Sequence, residues 1–203
     1  MQHEYSIIGH NRSEIGRWIG ILSVVLAPII TSFIIWASQA LLLTASIQVQ
    51  LPVFALSTGL IYLVLYWLFN RYGWRWLDRI LHIPDLNGRW QVNGITLNQD
   101  GTAQFNWNGE LVISQKWDHI AIELKTSRSR SHSETASLLV KHDNETKLSY
   151  SYQNHPCSRE TELKKHQGFC EVIFNESLEK AEGHYFNTLG RYTFGQIALT
   201  KIS

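Results

Sequence analysis

The stretch WIGILSVVLAPIITSFIIW, residues 18–36, decides the fold of this chain. It carries no charged side chain, and its length approaches the ~20 apolar residues that a helix needs to cross a bilayer core of about 30 Å. Trp18 and Trp36 stand at its ends, where aromatic rings favour the headgroup region. The stretch therefore predicts a transmembrane helix over about residues 18–38, kinked at Pro28.

A second apolar segment follows the first with no charge between them. Asp, Glu, Lys and Arg are all absent from Trp18 to Asn70, a run of 53 residues. This run predicts a second span over about residues 52–70, so that residues 1–82 form a transmembrane helical hairpin. The apolar run is too long for a cleaved signal peptide, and the absence of charge argues against a buried hairpin of a soluble protein.

Positive charges flank the hairpin and predict its orientation. Arg12 and Arg17 precede the first span, Arg71, Arg75 and Arg79 follow the second, and the connecting loop has no basic residue. The positive-inside rule therefore predicts a multi-pass protein of the cell inner membrane with both termini in the cytoplasm.

The rest of the chain, residues 83–203, reads as a cytoplasmic all-β domain. Pro84 ends the helical region and Asn87-Gly88 supplies turn chemistry. Short segments with alternating apolar residues then recur between Asn, Asp and Gly turns, which indicates a sandwich or barrel. The predicted strands cover residues 89–97, 105–115, 119–125, 135–141, 147–152, 169–174, 179–186 and 191–202, with a helical turn over 158–165. We expect an antiparallel barrel of about eight strands, which has room for side chains or one small ligand.

Composition narrows the functions open to this domain. From Pro84 to Ser203 there are 13 Lys and Arg against 14 Asp and Glu, so no broad basic face for a nucleic acid polymer is expected. Cys157 and Cys170 are too few for a disulfide scaffold and match no metal pattern. The histidines lack metal-ligand spacing, and no catalytic fingerprint occurs. The sequence thus predicts no enzyme, no metal site and no cofactor.

Three segments nevertheless suit an anionic, base-containing ligand. Thr126 to Ser133 reads T-S-R-S-R-S-H-S, and its guanidinium forks and hydroxyls at a barrel rim suit phosphate recognition. Tyr150 to Asn154 combines rings that stack on bases with amides that read their edges. The third segment, G-R-Y-T-F-G, begins at residue 190. Taken alone, such segments are more commonly a solvated polar turn or core aromatic residues.

Taken together, the order of these features resembles a known family. Two spans are followed by P-D-L-N-G-R-W from Pro84, then the S-R-S-R-S run, Y-x-Y-x-N-x-P, H-x-G and a final G-R-Y-T-x-G strand. This arrangement is similar to the two-transmembrane β-barrel effectors of bacterial cyclic-oligonucleotide-based anti-phage signalling systems (CBASS). The resemblance covers essentially the whole chain.

The resemblance implies an anti-phage defence function. The barrel would bind a cyclic dinucleotide made by a partner nucleotidyltransferase (CD-NTase). Binding would promote homo-oligomerisation of the transmembrane segments, disruption of the inner membrane and abortive infection. At matching positions the implied ligand contacts are Arg128, Ser129, Arg130, Ser131, Tyr152, Asn154, Arg191 and Thr193, with the arginines on phosphates and Tyr152 stacking on a base.

Two other functions remain open at this point. The Gly88-Arg89-Trp90 opening resembles the G-x-W start of lipocalins, so a membrane-tethered carrier of a small ligand is one alternative. A scaffold without a ligand is the other.

Overall fold

The computed structural model describes residues 2–9, 12–45, 57–76, 83–140, 146–157, 165–188 and 191–202. These residues divide into a helical unit, residues 11–74, and a barrel unit, residues 1–10 and 75–203. The predicted helical turn over 158–165 lies almost wholly outside the described residues, as does the start of the second predicted span.

The helical unit contains one long helix and part of a second. Helix α1 (Arg12–Ala45) runs through Pro28 without a break, and residues 12–40 are long and apolar enough to cross a membrane. Most of this span's apolar side chains are exposed, as a bilayer requires and the core of a soluble protein does not. The second helix is described as α2 (Thr58–Leu68), a π-helical turn (Phe69–Gly73) and α3 (Trp74–Trp76). Among the described residues, only α1 meets the length and hydropathy expected of a span.

The described residues of the barrel unit form ten strands, of which eight make a closed antiparallel barrel. The barrel strands are β3 (Gly88–Leu97), β4 (Ala103–Gln115), β5 (His119–Thr126), β6 (Ser129–Val140), β7 (Thr146–Pro156), β8 (His166–Phe174), β9 (Lys180–Thr188) and β10 (Phe194–Lys201). Each pairs with its sequence neighbour, β10 returns to β3, and β5 pairs with β6 to complete the circle. The predicted eight-stranded barrel is therefore confirmed.

Alternating side chains fill one half of this barrel. In β3 every second residue from Trp90 to Thr96 is buried, and the residues between them face outward. Trp90 is fully buried, its ring meets Phe174 edge to face at 5.2 Å, and its Nε1 donates to the carbonyl of Leu86 at 3.4 Å. Burial of large apolar side chains of this kind stabilises each position by about 1.5–3 kcal/mol. We call this packed end the base, and the opposite end, where β3, β5, β7 and β9 finish, the mouth.

Two short strands precede the helices and were not expected from the sequence. They are β1 (His3–Glu4) and β2 (Ser6–Ile8), and they pair with β5 and β6, respectively. The N-terminal residues, placed with the hairpin by the predicted boundary at 82/83, thus belong to the barrel unit by their contacts. A strand of two or three residues is too short to show an alternating pattern.

Candidate functional site

The mouth half of the barrel encloses a cavity of about 660 Å³. This volume lies within the range of small-molecule sites, about 300–1,000 Å³. Its floor is apolar, formed by Ile122, Leu124, Cys170 and Ile197, and its upper wall is polar and aromatic. The change follows from the strands themselves, because inward positions that are apolar near the base become Ser, Thr, Asn and Tyr toward the mouth.

The charged groups on the cavity wall are all basic. Among the described residues that line it, Arg128 and Arg191 carry the positive charges, His166 is the one other basic side chain, and Asp and Glu are absent. The Arg191 guanidinium lies 5.9 Å from the centroid of the Phe105 ring, a cation–π distance. The site therefore favours an anion.

Arg128 stands at the tip of the turn between β5 and β6, and Thr126 shapes this turn. The Thr126 hydroxyl accepts from the backbone N–H of Ser129 at 3.0 Å and from that of Arg128 at 3.3 Å. This is the local hydroxyl turn that a T-x-x-S sequence favours. It holds the Arg128 backbone at the rim.

An amide and two hydroxyls form part of the polar wall. Asn154 Nδ2 donates to Ser129 Oγ at 2.9 Å and to Ser131 Oγ at 2.8 Å, and all three residues are buried. The Asn154 Oδ1 has no protein partner within the described residues. Buried amide oxygens are normally hydrogen-bonded, so this oxygen in the cavity wall can accept a further hydrogen bond.

A second network orients Tyr152. Its hydroxyl donates to Asn187 Oδ1 at 2.8 Å, and Asn187 Nδ2 donates to Thr193 Oγ1 at 2.8 Å. Burial raises the pKa of Tyr152 well above its usual value, so the hydroxyl stays a neutral donor. This hydrogen bond holds the ring in the cavity wall.

A third network, which sequence reasoning missed, surrounds Trp107. Its Nε1 donates to the Tyr185 hydroxyl at 3.0 Å, the two rings meet at 5.5 Å, and Tyr185 is hydrogen-bonded to Thr96 Oγ1 at 2.7 Å. The indole lies directly against Gly94, where an added Cβ would come within 2.1 Å of Trp107 Cε2. Strand alternation could have identified these residues from the sequence. Every second residue of a strand faces inward, and the inward positions include Thr96, Trp107, Tyr185 and Asn187.

The eight predicted site residues fall into three groups in the structure. Six of them line the cavity at the mouth: Arg128, Ser129, Ser131, Tyr152, Asn154 and Arg191. Thr193 lies behind Asn187, which lines the cavity, and accepts a hydrogen bond from it. Arg130 is placed differently, because alternation in β6 turns it to the outer surface, where its Nε lies 3.2 Å from Glu123 Oε1. The structure therefore does not bring Arg130 to the cavity.

Cys170 is the cysteine that lines the cavity, and its environment does not suit a nucleophile. Cys170 is buried in the cavity floor, and burial raises the pKa of its thiol to about 12. A thiol of that kind is neutral and a poor nucleophile. Among the residues that the structure describes, no three His, Cys, Asp or Glu side chains are arranged to hold a metal ion.

Comparison with known proteins assigns both units. Residues 81–201 match the family described as "Cap15, cyclic dinucleotide receptor domain", and residues 13–75 match "Cap15, TM helices". The CD-NTase-associated protein 15 of Yersinia aleksiciae is 41% identical over 206 residues, which cover 98% of this chain and 97% of that protein. The chain belongs to the Cap15 family of CBASS effectors, which join transmembrane helices to a cyclic dinucleotide receptor domain.

Proposed function

We propose that this protein senses a cyclic dinucleotide made by a partner CD-NTase and responds by disrupting the inner membrane, without catalysing a reaction. The observation that carries the proposal is the cavity at the mouth, whose described lining combines two arginines and several aromatic rings and contains no carboxylate. A lipocalin-like carrier of apolar ligands would need an apolar wall, so this charge pattern favours the sensor.

The cavity wall matches the chemistry of such a ligand. A cyclic dinucleotide carries two phosphates and two bases, and Arg128 and Arg191 supply one guanidinium for each phosphate. Tyr152 and Trp107 present rings for base stacking. Ser129, Ser131 and Asn154 supply hydrogen bonds to polar edges, and Thr193 holds Asn187 in place behind Tyr152. Arg130 is left out of the contact set because it faces outward.

We expect the helices, rather than the barrel, to disrupt the membrane. The described span contains no ionisable side chain between Trp18 and Trp36, so no ion pathway lines it. Assembly of several hairpins into a lesion is therefore favoured over a selective channel. The basic residues at both ends of the hairpin support a cytoplasmic barrel in the inner membrane.

A surface on the barrel supports assembly with a second copy. A row of apolar side chains crosses the outer face near the mouth, because Phe169, Phe186, Phe194 and Leu97 stand directly opposite one another on four neighbouring strands. Phe186 and Phe194 are 43% and 40% exposed. Gln167 and Thr188 flank this Phe row toward the mouth, and Glu171, His184 and Gln196 flank it toward the base. An apolar strip with a polar rim is typical of a protein–protein interface.

Ligand binding tests the proposed function. The full chain should be used in detergent, because β1 and β2 are part of the barrel unit. Titration with a panel of cyclic di-AMP, cyclic di-GMP and cyclic GMP–AMP should show binding of at least one compound. Charge-assisted hydrogen bonds contribute about 1.5–3 kcal/mol each, so Arg128→Ala and Arg191→Ala should each weaken it about 10- to 150-fold.

The matched control is Arg130→Ala, which removes the same charge from the outer face and should leave the affinity unchanged. Absence of binding to every compound would refute the sensor. Equal loss in all three variants would mean that net charge, and not the cavity, determines binding.

A further inference from the structure

The barrel is closed at the mouth by an unusually short stretch of pairing. β5 and β6 are eight and twelve residues long, yet they pair at only three positions: Glu123 with His132, Leu124 with Ser131 and Lys125 with Arg130. β6 then shifts its register between Ser133 and Thr135. Toward the base, therefore, β5 and β6 separate and leave a seam in the wall.

The N-terminal strands fill this seam. β1 pairs antiparallel with β5, through His3 with Ile120 and Glu4 with His119. β2 pairs parallel with β6, through Ser6 with Ser137, Ile7 with Leu138 and Ile8 with Leu139. These opposite senses are what a strand inserted between two antiparallel strands requires. The chain leaves the seam at the base and enters α1 at Arg12, with three residues between Ile8 and Arg12.

The buried side chain of Gln115 links the seam by hydrogen bonds to the segment that follows the second helix. The Tyr5 hydroxyl donates to the carbonyl of Lys116 and accepts from Gln115 Nε2, both at 3.1 Å. Gln115 also donates to the carbonyl of Pro84 at 3.2 Å and accepts from the N–H of Leu86 at 2.9 Å. Gln115 is 3% exposed. It therefore binds both the segment that leads into the first helix and the segment that follows the second.

A line of hydroxyls connects the seam to the cavity. Ser129, Ser131 and Ser133 are successive inward-facing residues of β6, and the first two are bonded to Asn154 in the cavity wall. Ser133 Oγ is hydrogen-bonded to His3 Nε2 at 2.7 Å and accepts from the Ile122 N–H at 3.0 Å. The Ser133 hydroxyl thus stands where the next bond between β5 and β6 would form if their pairing continued.

The edge of β5 at His119 and Ile120 can pair with β1 or with an extended β6, but not with both. Two arrangements that exclude each other form the kind of two-state element through which a ligand biases a distant segment. We propose that β1–β2 is the coupling element of this receptor: occupancy of the cavity shifts β6, changes the competition for this edge of β5, and so changes how the chain enters α1. This inference rests on the proposed sensor function.

A reversible crosslink across the seam tests the coupling. Ser6→Cys with Ser137→Cys joins residues that face each other in the β2–β6 register, in a Cys157→Ser background that removes the exposed native thiol. The matched control, Lys180→Cys with Thr200→Cys, joins an exposed register pair of β9 and β10 away from the seam. Full-length protein is placed in vesicles of phosphatidylethanolamine and phosphatidylglycerol, and dye release is measured with and without the cyclic dinucleotide that the wild type binds.

We expect oxidation of the seam pair to reduce the ligand-dependent change in dye release at least tenfold, either by blocking release or by making it independent of ligand. Reduction with dithiothreitol should restore the response, and the control pair should respond in both states. A locked protein with the same ligand dependence as its reduced form would overturn the coupling alone. A wild type that binds no cyclic dinucleotide refutes the sensor function instead.

Hydrogen exchange gives an independent measurement that needs no cysteine. Addition of the cyclic dinucleotide to the wild type should change the exchange rate of the Ser6–Ile8 amides at least tenfold. Amides of β9 and β10 at the base serve as the internal reference and should not change. Unchanged exchange at Ser6–Ile8 in a protein that binds the ligand contradicts the proposal.

Discussion

Substitution of Gly94 by Ala should damage the binding cavity without changing any polar or charged group. Gly94 faces inward on β3, and a Cβ there would stand 2.1 Å from Trp107 Cε2 and 2.2 Å from Cζ2. Ordinary contact begins at about 3.4 Å, so the indole must move or tilt. The substitution adds one methyl group, so its effect comes from contact with the indole and not from backbone strain.

The expected magnitude follows from what the indole holds. Movement of the ring breaks the 3.0 Å hydrogen bond to Tyr185 and the edge-to-face pair with the same ring. These contribute about 0.5–1.5 kcal/mol each, so the free energy of unfolding should fall by about 1–3 kcal/mol. Stacking of a base on an aromatic ring contributes about 1–3 kcal/mol, so affinity for the cyclic dinucleotide should fall about 5- to 150-fold.

Calorimetric titration and thermal unfolding of the full chain measure both quantities. The control is Gln196→Ala on the outer face of β10, which should alter neither of them. An affinity equal to the wild type's, in a Gly94→Ala protein that unfolds at a lower temperature, would refute the assignment of Trp107 to the ligand site.

Three further predictions concern the core, the floor and the wall of the barrel. Trp90→Ala removes a fully buried indole and should lower the free energy of unfolding by about 3–5 kcal/mol in urea titrations, whereas a loss below ~1 kcal/mol would contradict its place in the core. Iodoacetamide at pH 8 should label the exposed Cys157 and spare Cys170, because a pKa raised to about 12 keeps that thiol protonated; mass spectrometry showing two adducts on the folded chain would disprove this. Tyr152→Phe keeps the ring but loses the bond to Asn187, so affinity should fall less than tenfold, whereas Tyr152→Ala should cost about 1–3 kcal/mol of stacking; equal losses would show that the hydroxyl, not the ring, contacts the ligand.

The sequence predicted the base of the barrel better than its mouth. Strand β6 was expected from residue 135 but begins at Ser129, and β8 was expected from residue 169 but begins at His166. Strand β7 extends four residues past its predicted end, to Pro156. These strands are underestimated where their inward side chains line the cavity, because polar residues on both faces remove the alternation that identifies a strand.

The candidate site was predictable in its residue types but not in all its directions. The S-R-S-R-S run was correctly taken to lie at the rim, yet the same period of two that turns Ser129 and Ser131 inward turns Arg130 outward. The sequence shows which side chains of a strand face inward only where apolar residues mark one face, and this run has no apolar face. The N-terminal strands depend on long-range pairing with β5 and β6, which no local pattern of six residues encodes.

The position of the cavity explains why the β5–β6 wall is the part of the barrel suited to signalling. Near the base, β7 to β10 and β3 pair along their full lengths around Trp90 and Phe174, so this region is fixed by packing and by continuous hydrogen bonding. The β5–β6 wall has three paired positions and relies on side-chain hydroxyls and an inserted strand. A ligand gains little by deforming the packed half, since each displaced core contact adds to the cost. We therefore expect a ligand bound at the mouth to displace the barrel wall most easily along this seam, from which the chain continues into the first helix.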